Sequence, residues 1–272
     1  MRFNRISVAN VRNIESAELD LCAGLNHFHG KNGAGKTAVL EAIHILCRGR
    51  SFRSPLIRDV ISRGQDALVV RGEWSDAQQG ERSVAIRRSL STGTELRIDA
   101  QKVSRTSEIA QLTPLQTLLP DVSELISGGP KQRRTWLDWG MFHVKPNYLT
   151  VLRDFLRVLK QRNASLRAPS TDTRSLSAWD VELALLSQQV DEYRREYIEE
   201  LSDHLKVVVA TLIPELSLSY EYLRGWPAGE PIEKLLGERG SREVKYGVTQ
   251  WGPHRADIRF KVAERNAAKV LS

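Results

Sequence analysis

Cysteine is scarce here: Cys22 and Cys47 are the only two in 272 residues, and neither stands in a CxxC pair. That spacing excludes a disulfide framework and a cysteine zinc site, so both thiols are expected to be small buried hydrophobes. Histidine offers no metal pattern either. His27, His29, His44, His143, His204 and His254 form no HExxH spacing, and His27 and His29 alternate on an expected strand as structural residues. Long apolar runs are also missing. The longest, residues 207–213, is interrupted by Thr211 and falls well short of the roughly 20 residues a membrane span needs, which argues against a membrane partner. "MRFNRISVANVRNIESAELD" is charged throughout and has no apolar signal-peptide core, so a cytoplasmic chain is expected. No internal repeat or low-complexity tract occurs.

What is present is a basic globular composition. Hydrophobic residues make up 41% and charged residues 27%, and 40 Lys plus Arg against 33 Asp plus Glu give a net charge of +7. That balance favours a polyanionic partner such as nucleic acid. "RISVAN" and "SAELDL" alternate at period two and predict two strands, followed by a strand over residues 25–29. "TAVLEAIHILC" is apolar on nearly all sides and predicts a helix buried against a sheet. "ALVVRGEW", "RSVAIRRSL" and "ELRIDAQKV" predict an antiparallel meander. Beyond Pro120 the pattern turns helical: one helix from Pro130, a second from Pro146, the polar linker "APSTDTRS", and a long amphipathic helix over residues 178–213 ended by Pro214. Strands return in "LSLSYEYL" and "ADIRFKVA". The expected fold is α/β with an inserted, mainly helical lobe: residues 1–119 are read as the first lobe, 120–243 as the helical lobe, and 244–272 as a return to the first.

The chemistry concentrates between the expected strand at 25–29 and the buried helix. Gly30, Lys31, Asn32, Gly33, Ala34, Gly35, Lys36 and Thr37 match G-x-x-x-x-G-K-[ST] in full. Glycines at these positions let the backbone bring successive N–H groups onto phosphates without a Cβ in the way. The helix N-terminus adds its positive end, Lys36 supplies a point charge for the β and γ phosphates, and the Thr37 hydroxyl can ligate Mg²⁺. The expected fold is therefore that of a P-loop NTPase with residues 1–119 as its ATP-binding lobe, ATP and Mg²⁺ are the expected cofactors, and Lys36 is the expected catalytic residue. Hydrolysis also needs a carboxylate at the end of an apolar strand. None is evident; the nearest stretch, "VVVATLIPE", contains Pro214 at the end of a long helix. Among signature-like turns, "ISRGQ" at 61–65 leads straight into a strand. "ISGGPKQR" at 126–133 has Pro130 where a glutamine donor would stand, and the third candidate is the terminal "KVLS".

"NVRNI", "GKNGAGKTAVLEAI", "GRSFR", "GGPKQRRTWLDWGMFH", "LKQRNASLR", "RGW" and "GPHRAD" together resemble the RecF family, the SMC-like recombination mediators of bacteria, over the whole chain. The resemblance implies an ABC/SMC-type ATPase head, here incomplete, because in the family an Arg-Gly-Gln turn and the acidic Walker B strand follow the segment like "VLS". It implies a weak DNA-dependent ATPase in a full-length member, with no hydrolysis expected of this chain. It also implies an ATP-dependent homodimer when full length, binding to double-stranded DNA and to its junctions with single strands, and work with RecR and RecO in repair, replication and the SOS response. By the same resemblance Gln116 in "TPLQTLL" would contact Mg²⁺, and Arg12 would lie near the nucleotide. The alternatives are a transporter ATPase subunit and a small-molecule P-loop kinase. Three basic clusters, Arg48, Arg50 and Arg53, Lys131, Arg133 and Arg134, and Lys160, Arg162 and Arg167, are candidate phosphate contacts.

Overall fold

Alternating apolar and polar residues in the first third of the chain produce one antiparallel ladder after another. In this computed structural model, which describes residues 2–76, 78, 80–119, 123–168, 173–238, 241–263 and 265–270, β1 (Arg5–Val11) and β2 (Ile14–Asp20) form a hairpin. The helix α1 (Lys36–Arg48) follows, and then β3 (Ala67–Asp76), β4 (Gly80–Ser89), β5 (Gly93–Ile98) and β6 (Gln101–Val103) pair in succession. The sheet order is β2-β1-β3-β4-β5-β6 and every pair is antiparallel. A further helix, α2 (Thr106–Leu112), completes a unit that ends at Leu118.

One face of the sheet is the core. Ile6, Val8, Leu68, Val70, Val84 and Ile86 pack against Ala38, Ala42, Ile45 and Leu46 of α1. Burial of each of these larger aliphatic side chains stabilises the unit by roughly 1.5–3 kcal/mol. The other face carries Ser7, Arg71, Ala85, Arg87 and Arg97 in register across the strands.

Three local expectations change. Residues 25–29 are not a strand: the described residues give them no ladder partner, and Leu25 is 90% exposed. Without a partner an extended segment has nowhere to place its backbone donors and acceptors except in water. "ELRIDAQKV" is two strands, because Asp99 and Ala100 take positive φ of 48° and 66° and reverse the chain between β5 and β6. Cys47 is buried as expected, but Cys22 is exposed and its thiol contacts the Leu25 carbonyl.

The second unit spans residues 119–272 and is built on helices. After α3 (Glu124–Ser127) come α4 (Pro130–Val144), α5 (Tyr148–Arg167) and the 40-residue α6 (Thr173–Leu212). The helix α6 starts before the expected residue 178, and residues 169–172 of the expected linker lie outside the described residues. Next come β7 (Leu218–Leu223), α7 (Ile232–Glu238), α8 (Ser241–Tyr246), β8 (Asp257–Val262), β9 (Arg265–Asn266) and α9 (Ala267–Val270). Leu137, Met141, Phe155, Val158, Leu183 and Val190 form the core between the long helices. Residues 244–272 stay with this unit instead of returning to the first. The reason is the ladder from Leu218 opposite Val262 to Leu223 opposite Asp257, which binds β8 to β7.

Candidate functional site

The glycine loop runs into α1 as its sequence requires. Gly30, Gly33 and Gly35 have φ of 144°, 83° and 93°, values that side-chain-bearing residues rarely adopt. Gly35 is the N-cap of α1, and no side chain caps the helix there. The first backbone N–H groups of α1 therefore keep the free donor capacity that makes a helix start attractive to anions. Gly30, Lys31, Asn32, Gly33, Ala34 and Thr37 are exposed, and a Cβ built on Gly33 would meet nothing within 4 Å. Lys36 folds back over this space: its Nζ donates to the carbonyls of Gly30 at 2.7 Å and Lys31 at 2.9 Å. From the hairpin between β1 and β2, Asn13 Nδ2 donates to the Gly33 carbonyl at 2.6 Å and fixes the crest of the loop. The donor set, the open space above Gly33 and the uncapped helix all fit a polyphosphate.

Arg12 is bound into the same helix one and a half turns further on. Its Nε and Nη2 donate to both oxygens of Glu41, at 2.9 and 2.8 Å, and its Nη1 donates to the Asp59 carbonyl. Arg12 also has a φ of 57°, held by its N–H on the Val60 carbonyl at 2.7 Å. Glu41 is fully buried. Burial alone would raise its pKa, but hydrogen bonds from Arg12 and Ser51, with the charges of Arg12 and Arg53, outweigh that and leave it below the usual carboxylate range. Sequence reasoning missed Glu41. Its signal was a lone carboxylate in the otherwise apolar "TAVLEAIHILC", which in a buried helix demands a cation.

The loop "GRSFR" closes over this pair. Ser51 Oγ donates to Glu41, Arg53 lies 3.6 Å from it, and the His44 ring packs edge-on against Phe52 with centroids 5.2 Å apart. His44 Nδ1 donates to the Arg50 carbonyl at 2.8 Å. Burial holds its pKa below the ordinary histidine value, with the charges of Arg48 and Arg50 adding to the effect. Gln116 is exposed in the segment after α2, and the described residues link it to no member of the glycine loop by hydrogen bond or ion pair.

Two of the candidate phosphate contacts are buried instead. Arg133 donates in bidentate fashion to Asp257, at 2.7 and 3.2 Å, and to the Gly128 carbonyl at 2.6 Å. The turn of "ISGGPKQR" is thus pinned to "GPHRAD". Arg162 is wholly buried between Asp180 and Glu243. Charge runs on a helix read as surface until tertiary packing decides which members turn inward. Lys131, Lys160 and Arg167 are exposed; Arg134 is half-buried and donates to the Ala256 carbonyl. "VVVATLIPE" falls at the exposed end of α6, where it forms no strand. Of "KVLS", Leu271 and Ser272 lie outside the described residues.

The RecF/RecN/SMC N terminal domain family matches residues 2–166. The DNA replication and repair protein RecF of Pseudomonas syringae pv. tomato is 39% identical over all 272 residues, which span 74% of that protein. RecF of Stutzerimonas stutzeri is 40% identical over the same span. Among solved structures, the recombination mediator protein RecF with ATP in the RecFOR pathway superposes with a TM-score of 0.87 at 26% identity, covering 99% of this chain and 75% of that one. An Smc head from Pyrococcus furiosus, bound to the C-terminal domain of ScpA, shares the fold at a TM-score of 0.53 and 14% identity. That alignment covers 97% of this chain and 72% of the Smc chain.

Proposed function

The chain belongs to the RecF family of DNA replication and repair proteins, and from that premise we propose that residues 30–37 take up the phosphate tail of ATP together with Mg²⁺. Lys36 releases the Gly30 and Lys31 carbonyls and turns its ammonium to the β and γ phosphates. The backbone donors at the start of α1 take the remaining oxygens. Thr37 offers its exposed hydroxyl to the metal, and Gln116 is proposed as a second contact to it. Mg²⁺ held there would neutralise negative charge on the phosphate tail. Arg12, tied through Glu41 to the helix that carries Lys36 and Thr37, is proposed to border the nucleotide.

The wider role proposed follows the family and the charge of +7. The polyanion is double-stranded DNA near its junctions with single strands, held through backbone contacts without base reading. RecO and RecR are the proposed partners, the cytoplasm the compartment, and a nucleotide-driven homodimer with slow hydrolysis belongs to the full-length protein. The transporter subunit and the small-molecule kinase are not favoured, because relatives matching the whole chain at 38–40% identity are RecF proteins.

A single observation carries the reading: Lys36 poised over exposed glycines at an uncapped helix start. Calorimetry with ATP and magnesium tests it. Heat of uptake is expected from the parent chain and none from Lys36→Met, with both unfolding at the same urea concentration. A parent that takes up no ATP, or a variant that takes it up equally, overturns the proposal.

A further inference from the structure

A second basic site lies in the helical unit, where the end of β7 meets the loop before β8. Where β7 ends, "RGW" turns sharply back: Gly225 has a φ of 97°, and a Cβ there would stand 2.2 Å from the Gly252 carbonyl oxygen, so the turn and the loop before β8 are locked together. The cavity at this junction has a volume of ≈ 730 Å³. Its walls bring Arg195 of α6, Arg224 of the turn and Arg255 of the later loop together with Trp226 and Trp251. Against three guanidinium groups stands one carboxylate, Asp191, and it is already committed: Arg224 lies 3.0 Å from it and the Tyr222 hydroxyl donates to it at 3.1 Å.

Arg224 is held twice. Asp191 fixes its edge, and its guanidinium carbon lies 3.9 Å from the centre of the buried Trp226 ring. A planar cation fixed this way keeps one face for stacking, and Trp251, half-buried in the wall, offers a second flat surface. Arg195 and Arg255 are exposed at the rim, where two further charges can meet phosphates. Flat surfaces among guanidinium groups that outnumber the lining carboxylate suit an unstacked base with its flanking phosphates, whereas a duplex keeps its bases stacked inside. An acidic peptide would satisfy the charges but leave the stacking surfaces unused.

We propose that this cavity binds an unpaired stretch of nucleic acid, taking a base between Arg224 and Trp251 and the adjoining phosphates on Arg195 and Arg255. The inference deepens the DNA-binding reading above and rests on it, but it gives the single strand a place of its own, in a unit separate from the glycine loop.

The test is a titration of the whole chain with a short fluorescein-labelled oligothymidylate, following anisotropy and intrinsic tryptophan fluorescence together. Arg195→Glu with Arg255→Glu is expected to weaken binding about tenfold or more, while ATP uptake by calorimetry and the urea midpoint stay at parent values. Arg224→Lys keeps the charge but not the flat cation, and is also expected to weaken binding; Trp251→Leu is expected to reduce the quenching that stacking produces. The proposal is overturned if the double variant binds oligothymidylate with parent affinity, if binding leaves tryptophan emission unchanged, or if polyglutamate displaces the oligonucleotide at equal charge concentration. A chain that binds oligothymidylate here yet takes up no ATP sustains this inference and sinks the nucleotide proposal; the reverse result separates them the other way.

Discussion

Replacing Arg162 with methionine would leave two buried carboxylates facing each other. The Arg162 side chain is 0% exposed and makes four hydrogen bonds: Nε to Asp180 at 2.7 Å, Nη1 to the Thr249 hydroxyl at 2.9 Å, and Nη2 to Glu243 at 2.8 Å and the Leu236 carbonyl at 3.2 Å. Through them α5 is joined to α6, to α8, to the end of α7 and to the loop before β8. The side chains of Asp180 and Glu243 are only 9% and 1% exposed, so water cannot substitute for the lost cation. Breaking a buried pair by removing one partner costs about 3–5 kcal/mol, because the remaining charge is stranded. A domain of this size is stable by only about 5–15 kcal/mol, so Arg162→Met should consume a large fraction of that margin. Urea unfolding followed by circular dichroism measures the cost. Removing the two carboxylate charges in the same background, with Asp180→Asn and Glu243→Gln, should return part of it. A single-variant cost below about 1 kcal/mol, or a triple variant less stable than the single one, would refute the claim that uncompensated charge is the cause.

Two further perturbations act through protons. His254 is largely buried; its Nε2 donates to the Thr249 carbonyl at 3.0 Å, and burial, with the charges of Arg255, Arg134 and Arg162, depresses its pKa to about 4 from 6.5. The unfolded chain therefore binds the proton first. Stability is full above pH 6.5 and falls as pH drops from 6.5 towards 4, by about 2 kcal/mol between pH 8 and pH 5 from this group alone. His254→Gln should flatten that part of the profile, and an unchanged slope in urea titrations would show that the ring is not neutral in the fold. Glu41 acts in the same direction at lower pH: its folded pKa lies below the unfolded value of 4.5, so its contribution is complete above that pH and is lost as pH falls through the folded value. Glu41→Gln leaves Arg12 without its counter-charge. It should lower stability at pH 7 by about 1–3 kcal/mol and remove this acid-side loss, which thermal unfolding at pH 7 and pH 4 would check.

The glycine loop was legible because its cause is local: three positive-φ positions, a lysine and a helix start all fall within eight residues. The meander was legible for the same reason, since alternation at period two states which face is buried. What failed was whatever depends on a distant partner. Residues 25–29 have the composition of a strand and, among the described residues, no neighbour to pair with. Arg133 and Arg162 have the spacing of exposed helix residues, yet each turns inward because a carboxylate at Asp257, Asp180 or Glu243, far along the chain, waits there. The break between β5 and β6 hangs on left-handed angles at Asp99 and Ala100, and alanine gives no warning of such a conformation. The stretches that carried the family resemblance outside the loop, "GGPKQRR", "RGW" and "GPHRAD", converge on one another. They brace the helical unit, with Arg133 on Asp257, Arg134 on the Ala256 carbonyl and Gly252 N–H on the Gly225 carbonyl.

The lysine that closes on the Gly30 and Lys31 carbonyls does more than wait. Three glycines in eight residues would otherwise sample many shapes, and freezing them at the moment of capture would weaken any complex. With the ammonium acting as an internal clasp, that ordering is incurred when the chain folds, so an arriving anion meets a rigid cup and has only to exchange one set of oxygens for another.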